Sequence, residues 1–290
     1  MSDKILDIGN IDINGMGKNT IRISDSEFLK LTRYMQDNYG INLSKKRTLI
    51  ESRLSNHLMR RGFASYSEYI DHVIKDESGE EVTEVLNFLT TNYSYFMREW
   101  THFEYFKEHV LPEMKPKIND RDLRTWSAGC SSGQEPYTMA MLIQDYMKEH
   151  RLRWDAKVLA TDISLKALGK ARSGIYEEEN LENVPSVWKN MYFEKLPGLR
   201  YVVKESLKNE VIYRTFNLME RKFLFRRKFH VIFCRNVMIY FDAPTKMQLV
   251  QRFYDTIEKG GYLFIGQSES LNREETGFKY VMPSVYQKVD

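Results

Sequence analysis

Apolar positions change their period once along the chain, near residue 120. Before that point they recur at helical spacing. Ser24 and Glu27 stand as a capping box, Phe28, Leu31 and Met35 follow on one face, and Gly40 supplies a stop. A second helix is expected over 44–61, with Ile50, Leu54 and Leu58 facing inward and Gly62 ending it. Two more are expected over 66–75 and 81–90, the latter burying Val82, Val85, Leu86 and Leu89. Residues 1–22, with alternating Ile and Asp and then Gly15-Met16-Gly17, read as a mobile tail rather than an edge strand. Residues 23–110 thus read as a small all-helical domain. Pro112 and Pro116, set among Lys and Asn, mark 111–122 as a linker.

From Leu123 onward short apolar runs alternate with helical stretches, the pattern of a mostly parallel sheet covered by helices. Strands are expected over 123–127, 157–161, 211–216, 229–234 and 261–266, and helices over 135–149, 164–171 and 244–259. Two stretches break the alternation. Residues 199–214 read as a β-ribbon, part of an insertion at about 192–214, and the segments on either side of Pro283-Ser284 read as a closing hairpin. The fold class is α/β, a doubly wound sheet over 123–290 preceded by the helical domain.

The first strand runs into Ser127-Ala-Gly-Cys-Ser-Ser-Gly133 before a helix begins near Gln134. Small residues there let a ligand approach the backbone, and Gly129 and Gly133 accept positive φ. The next strand ends in an acid, Thr161-Asp162. Strand, glycine-bearing turn, helix and a strand ending in an acid is how a doubly wound sheet holds a nucleoside. GxGxxG spacing is absent and phosphate has no cradle, so the expected ligand is a nucleoside that lacks one.

Net charge over the 290 residues is only +3, so any basic surface has to be local. One such surface is the second helix, where Lys46, Arg53 and Arg60 fall seven positions apart on one stripe with His57 beside it. It reads either as a solvated face or as a docking surface for an acidic partner. Two cysteines, Cys130 and Cys234, are too few for a disulfide scaffold, lack metal-ligand spacing and read as small buried residues. No apolar run approaches the ~20 residues of a membrane span, and a cytoplasmic location is expected.

Six segments in order resemble the CheR-type chemoreceptor methyltransferases. They are Thr91-Asn-Tyr-Ser-Tyr-Phe-Met-Arg98-Glu99, Ser127 to Tyr137, Ala160-Thr-Asp162-Ile, Phe216-Asn217-Leu218, Ile232-Phe-Cys-Arg235-Asn236-Val-Met-Ile-Tyr240-Phe-Asp242, and Gly260 to Ser270. The resemblance spans about residues 24–290. It implies transfer of a methyl group from S-adenosylmethionine to glutamate side chains of chemotaxis receptors, leaving S-adenosylhomocysteine. It also implies the receptor's cytoplasmic helical bundle as partner, and a monomer with no nucleic acid, membrane insertion or metal is expected.

By the same resemblance Asp162 binds the ribose hydroxyls, Glu135 faces the methionine ammonium, and Asn217 and Leu218 contact adenine. Asn92, Ser94, Arg98, Arg235 and Asn236 complete the cofactor site. Ser94 stands where the family has Thr, Met97 where it has an aromatic, and Gln134 where it often has Glu. Arg98 and Tyr240 are the candidates for orienting the substrate carboxylate, and Lys46, Arg53 and Arg60 for docking the receptor. A carboxylate with a reference pKa of about 4.3 is already an anion at neutral pH and needs no general base. Two other readings are a methyltransferase for RNA or a small molecule and a silent cofactor sensor. The small net charge and the absence of proline in Asn236-Val-Met-Ile-Tyr240 oppose the first; the presence of Arg98 and Asp162 opposes the second.

Overall fold

A computed structural model of the chain describes residues 21–90, 93–148, 154–272 and 274–289. The front domain holds α1 (Asp25–Tyr39), α2 (Arg47–Arg60), α3 (Tyr66–Lys75) and α4 (Glu80–Leu89). The capping box forms as its spacing predicts: Ser24 Oγ accepts from Glu27 N, and the Glu27 carboxylate accepts from Ser24 N at 2.8 Å. Gly40 closes α1 at φ 71°. Helix α2 starts at Arg47 rather than residue 44, because Asn42 Oδ1 accepts from both the amide and the hydroxyl of Ser44 and holds a turn there. Met35, Ile50, Leu54, Leu58 and Val85 are fully buried in one shared core. Of the expected tail, residues 1–20 lie outside the described residues, and Ile21 is tied to α2 through its carbonyl, which accepts from Ser55 Oγ at 2.8 Å.

The segment expected to be a linker is helical as far as Lys117. Helix α5 (Trp100–Tyr105) runs through a π turn (Phe106–Val110) into α6 (Leu111–Met114) and a 3-10 turn (Lys115–Lys117). Pro112 sits in the first turn of α6, where a missing N–H is tolerated, so the proline starts a helical turn instead of breaking one. This rod buries Phe103, Phe106, Val110, Leu111 and Met114 against the sheet. Phe103 stacks on Phe233, and Phe233 on Phe264, with centroids 5.6 and 4.3 Å apart.

Then follow β1 (Thr125–Ala128), α7 (Gln134–Met147), β2 (Val158–Asp162), α8 (Leu165–Ser173), β3 (Ile175–Glu177), α9 (Ser186–Tyr192), β4 (Phe193–Leu196), β5 (Arg200–Val203) and α10 (Glu205–Lys208). The chain ends with β6 (Val211–Thr215), β7 (Phe229–Cys234), α11 (Ala243–Thr256), β8 (Ile257–Ile265), β9 (Phe278–Met282) and β10 (Val285–Lys288). Among the described residues the main sheet has seven strands in the order β6-β2-β1-β7-β8-β10-β9. All neighbours are parallel except the pairs that β10 makes with β8 and β9, so the closing hairpin forms as expected. Every residue of β7 is buried, as a central strand covered on both faces requires.

The ribbon is a second correction. Strand β5 pairs with β3 and β4 in a separate antiparallel sheet, while β6 joins the main sheet beside β2. The charged stretch between β5 and β6 is not a hairpin turn. It coils into α10, which buries Leu207 and carries the chain from one sheet to the other. Among the described residues no helix is long and apolar enough to cross a membrane.

Candidate active site

Four parallel strands end at one edge of the main sheet, and the turn after each lines the same crevice. Gly129 to Glu135 follow β1, Asp162 to Ser164 end β2, Phe216 to Leu218 follow β6, and Arg235 to Val237 follow β7. The helical domain roofs it with Tyr39, Ile41 and residues of α4, and the strap from Tyr93 to Arg98 closes a side. The domains are stitched beside the mouth: Asn42 N donates to Tyr240 O, and Asn217 Nδ2 donates to Asn38 O, at 2.9 and 2.8 Å. The space amounts to about 1130 Å³, its open mouth included.

The turn after β1 can take its shape only with glycine at two places. A Cβ on Gly129 (φ +88°) would come 2.4 Å from Val237 Cγ2, and one on Gly133 (φ +94°) within 3.0 Å of Ala171, Tyr213 and Tyr176. Asp162 then fixes the turn, accepting from Ser131 N at 2.8 Å and from Ser164 N at 2.9 Å. One amide of this loop is thus taken by a carboxylate and not open to a phosphate. Burial raises the pKa of Asp162 above the ordinary carboxylate range.

Beside it a buried cation sits between two acids. Arg235 lies 3.0 Å from Glu99 Oε2 and 3.2 Å from Glu135 Oε2, and it also donates to the carbonyl of Arg98. Glu135 takes a further bond from Ser127 Oγ at 2.7 Å, yet burial raises its pKa despite Arg235. In Glu99 burial pushes the same way but loses: Arg235, the Asn236 amide and Gln267 N–H together hold its pKa below the ordinary range. Arg98 donates to Tyr93 O at 2.9 Å and forms no ion pair among the described residues.

Nine of the residues singled out from sequence line this one crevice: Ser94, Arg98, Glu135, Asp162, Asn217, Leu218, Arg235, Asn236 and Tyr240. Asn92 lies outside the described residues. Lys46, Arg53 and Arg60 are elsewhere, exposed along α2. Arg53 donates to Phe88 O and Arg60 to Asn56 O, while His57 turns inward against Tyr69 and Phe88 rather than joining the stripe. Cys130 and Cys234 are buried free thiols with pKa raised by burial, so neither is a nucleophile.

Two acids went unnoticed in the sequence. Glu99 is one; Glu269 is the other, its carboxylate accepting from the amides of Gly266, Asn236 and Ile239 at 2.6, 3.0 and 3.1 Å. Both lie inside quoted motifs, but nothing in a motif says which acid turns inward.

The family model described as "CheR methyltransferase, SAM binding domain" matches residues 92–286, and "CheR methyltransferase, all-alpha domain" matches 26–90. The chain belongs to the CheR methyltransferase family. A chemotaxis protein methyltransferase of Borreliella burgdorferi is 43% identical to it, over 92% of this chain and 96% of that one. A probable chemotaxis protein methyltransferase of Rhizobium etli is 40% identical over 81% and 89%, and the Escherichia coli chemotaxis protein methyltransferase 33% over 92% of each. The chain is accordingly a methyltransferase that uses S-adenosylmethionine.

The crevice suits that cofactor. Glu135 and Asp162 line it beside the guanidiniums of Arg98 and Arg235, Glu99 pairs with Arg235 from outside the lining, and S-adenosylmethionine carries one net positive charge at neutral pH. Two of the acids are destabilised by burial, and a cationic ligand relieves that cost.

Proposed function

We propose that the chain esterifies glutamate side chains on the cytoplasmic helical bundle of chemotaxis receptors, acting as a cytoplasmic monomer. The observation that carries the choice of acceptor is the make-up of the crevice. Among the described residues no histidine or lysine lines it. An amine or hydroxyl acceptor needs a base to take its proton, whereas a carboxylate arrives without one.

When bound, S-adenosylmethionine supplies a methyl group on a cationic sulfur that a nucleophilic oxygen can displace in line. Asp162 accepts both ribose hydroxyls, since a carboxylate has lone pairs left after two amide bonds. Glu135 faces the ammonium of the methionine portion, with Arg235 keeping its charge in place. Leu218 packs on the adenine ring, and Asn217 meets its edge with the one hydrogen and one lone pair not already used by Asn38 and Met219. Asn92 and Ser94 lie on the strap that closes over the ligand. Arg98 and Tyr240 orient the incoming carboxylate without neutralising it, because a tight ion pair would blunt the nucleophile. Two charges vanish in the reaction, so excluding water favours it, and the roof of α1 and α4 does this.

The exposed Lys46, Arg53 and Arg60 attract and register the acidic receptor. Incubating the protein with S-adenosylmethionine carrying a labelled methyl and a receptor cytoplasmic fragment tests the reading. The label is expected on glutamate and released by mild base. Label that resists base, or sits on nitrogen, would overturn it.

A further inference from the structure

The chain enters the crevice through an unusual backbone. Met97 (φ +64°), Glu99 (φ +56°) and Asn236 (φ +60°) are all non-glycine residues in the left-handed region, and the side chains of Glu99 and Asn236 meet each other. Left-handed conformations of such residues are strained and persist only where surrounding contacts over-determine them. Here those contacts converge on one carboxylate. Glu99 Oε1 accepts from Asn236 Nδ2 at 3.1 Å, and Oε2 accepts from Arg235 Nη2 at 3.0 Å and from Gln267 N at 3.2 Å. Three separate pieces of chain are thereby held at one point: the strap carrying Arg98, the end of β7, and the turn after β8. The fourth neighbour adds no charge. His102 Nδ1 lies 3.4 Å from Glu99 Oε2, but burial lowers its pKa to about 4, so the ring is neutral.

We infer that Glu99 is the positioning residue of the active site, holding Arg98, Arg235 and Asn236 in the arrangement that receives S-adenosylmethionine without itself touching the reacting atoms. Glu99 is absent from the crevice lining, while its neighbour Arg98 and its partners Arg235 and Asn236 are all in it. Arg235 also donates to the carbonyl of Arg98, so a shift of the guanidinium moves the strap itself. Glu135 alone cannot hold the geometry. It meets Arg235 at Nη1 rather than Nη2 and has no hydrogen bond to Asn236 or Gln267 among the described residues.

Glu99→Gln separates this role from a merely structural one, because glutamine keeps the shape and one acceptor while removing the charge that grips Arg235. The inference rests on the cofactor reading, so the primary readout is calorimetric binding of S-adenosylhomocysteine, which requires no receptor. Wild type is expected to bind, and Glu99→Gln to bind about tenfold or more weakly, with a melting temperature within a few degrees of wild type. Glu99→Asp, which keeps the charge on a shorter arm, is expected to recover part of the loss.

A double-mutant cycle decides whether Glu99 acts through Asn236. Glu99→Gln combined with Asn236→Ala is expected to bind no more than about threefold worse than the weaker single variant. Three results overturn the inference: binding by Glu99→Gln within twofold of wild type, losses that multiply fully in the double variant, or a binding loss that only follows loss of folded protein. Failure of wild type to bind would instead remove the cofactor reading together with this one.

Discussion

At the scale of single residues, the crevice is a place where burial works against charge. Asp162 and Glu135 both have pKa values raised by burial, so each takes up a proton at higher pH than an exposed carboxylate does. Protonation removes the charge that receives the ligand. Affinity for S-adenosylhomocysteine is therefore expected to weaken, as pH falls, above the ~4 at which ordinary carboxylates titrate. An affinity unchanged down to that point would show that neither acid faces the ligand. Arg98→Ala and Tyr240→Phe should each lower kcat with receptor by about tenfold or more, about 1.4 kcal/mol of transition-state stabilisation. Methylation within twofold of wild type in either variant would remove that residue from the mechanism. Asp162, Asn217 and Arg235 were legible because motif and strand end coincide there. The inward turn of Glu99 was not, because it depends on a left-handed backbone held by partners more than a hundred residues away.

At the scale of elements, the turn into α7 depends most on residue type. Gly133→Ala places a methyl against Ala171 and the hydroxyls of Tyr213 and Tyr176 in a backbone that disfavours any Cβ. A loss of about 1–3 kcal/mol in urea unfolding is expected; no loss would mean the turn can reshape. Helix α2 makes the opposite case, since its stripe is exposed and little of the fold relies on it. Reversing Arg53 and Arg60 to Glu should raise KM for receptor and flatten its salt dependence while leaving S-adenosylhomocysteine affinity unchanged. A parallel fall in cofactor affinity would assign the stripe to folding, through the bond from Arg53 to Phe88 O, rather than to docking. Helices α1 and α3 were readable because a capping serine and a single apolar period specify them locally, α4 from its apolar period, and strand β7 from its apolar run. The continuation of α5 through α6 was not, since Pro112 signals a break unless the chain on both sides is seen packed on the sheet.

For the molecule as a whole, two buried histidines link stability to pH. His102 and His230 are each held neutral, burial lowering their pKa from 6.5 to about 4. A group whose pKa is depressed by folding stabilises the fold above its unfolded value and loses that contribution as pH falls toward the folded one. Asp162, Glu135 and Glu269 have raised values and act in the reverse sense, so the test has to be differential. The stability advantage of wild type over His230→Asn should shrink between pH 6.5 and about 4, by up to about 3 kcal/mol. A constant difference would show that His230 is charged or exposed in the fold. What the order of residues determined alone was local and chemical: the switch from helical to strand period, the glycine turn, the acid at a strand end, and with these the sheet type and a nucleoside ligand without phosphate, while the methyl donor followed from the family resemblance of the motifs. Only the tertiary structure decided which strands pair, that β5 joins β3 and β4 instead of β6, and which carboxylate grips Arg235. Pairing and burial are set by contacts between segments distant along the chain, and no local propensity encodes them.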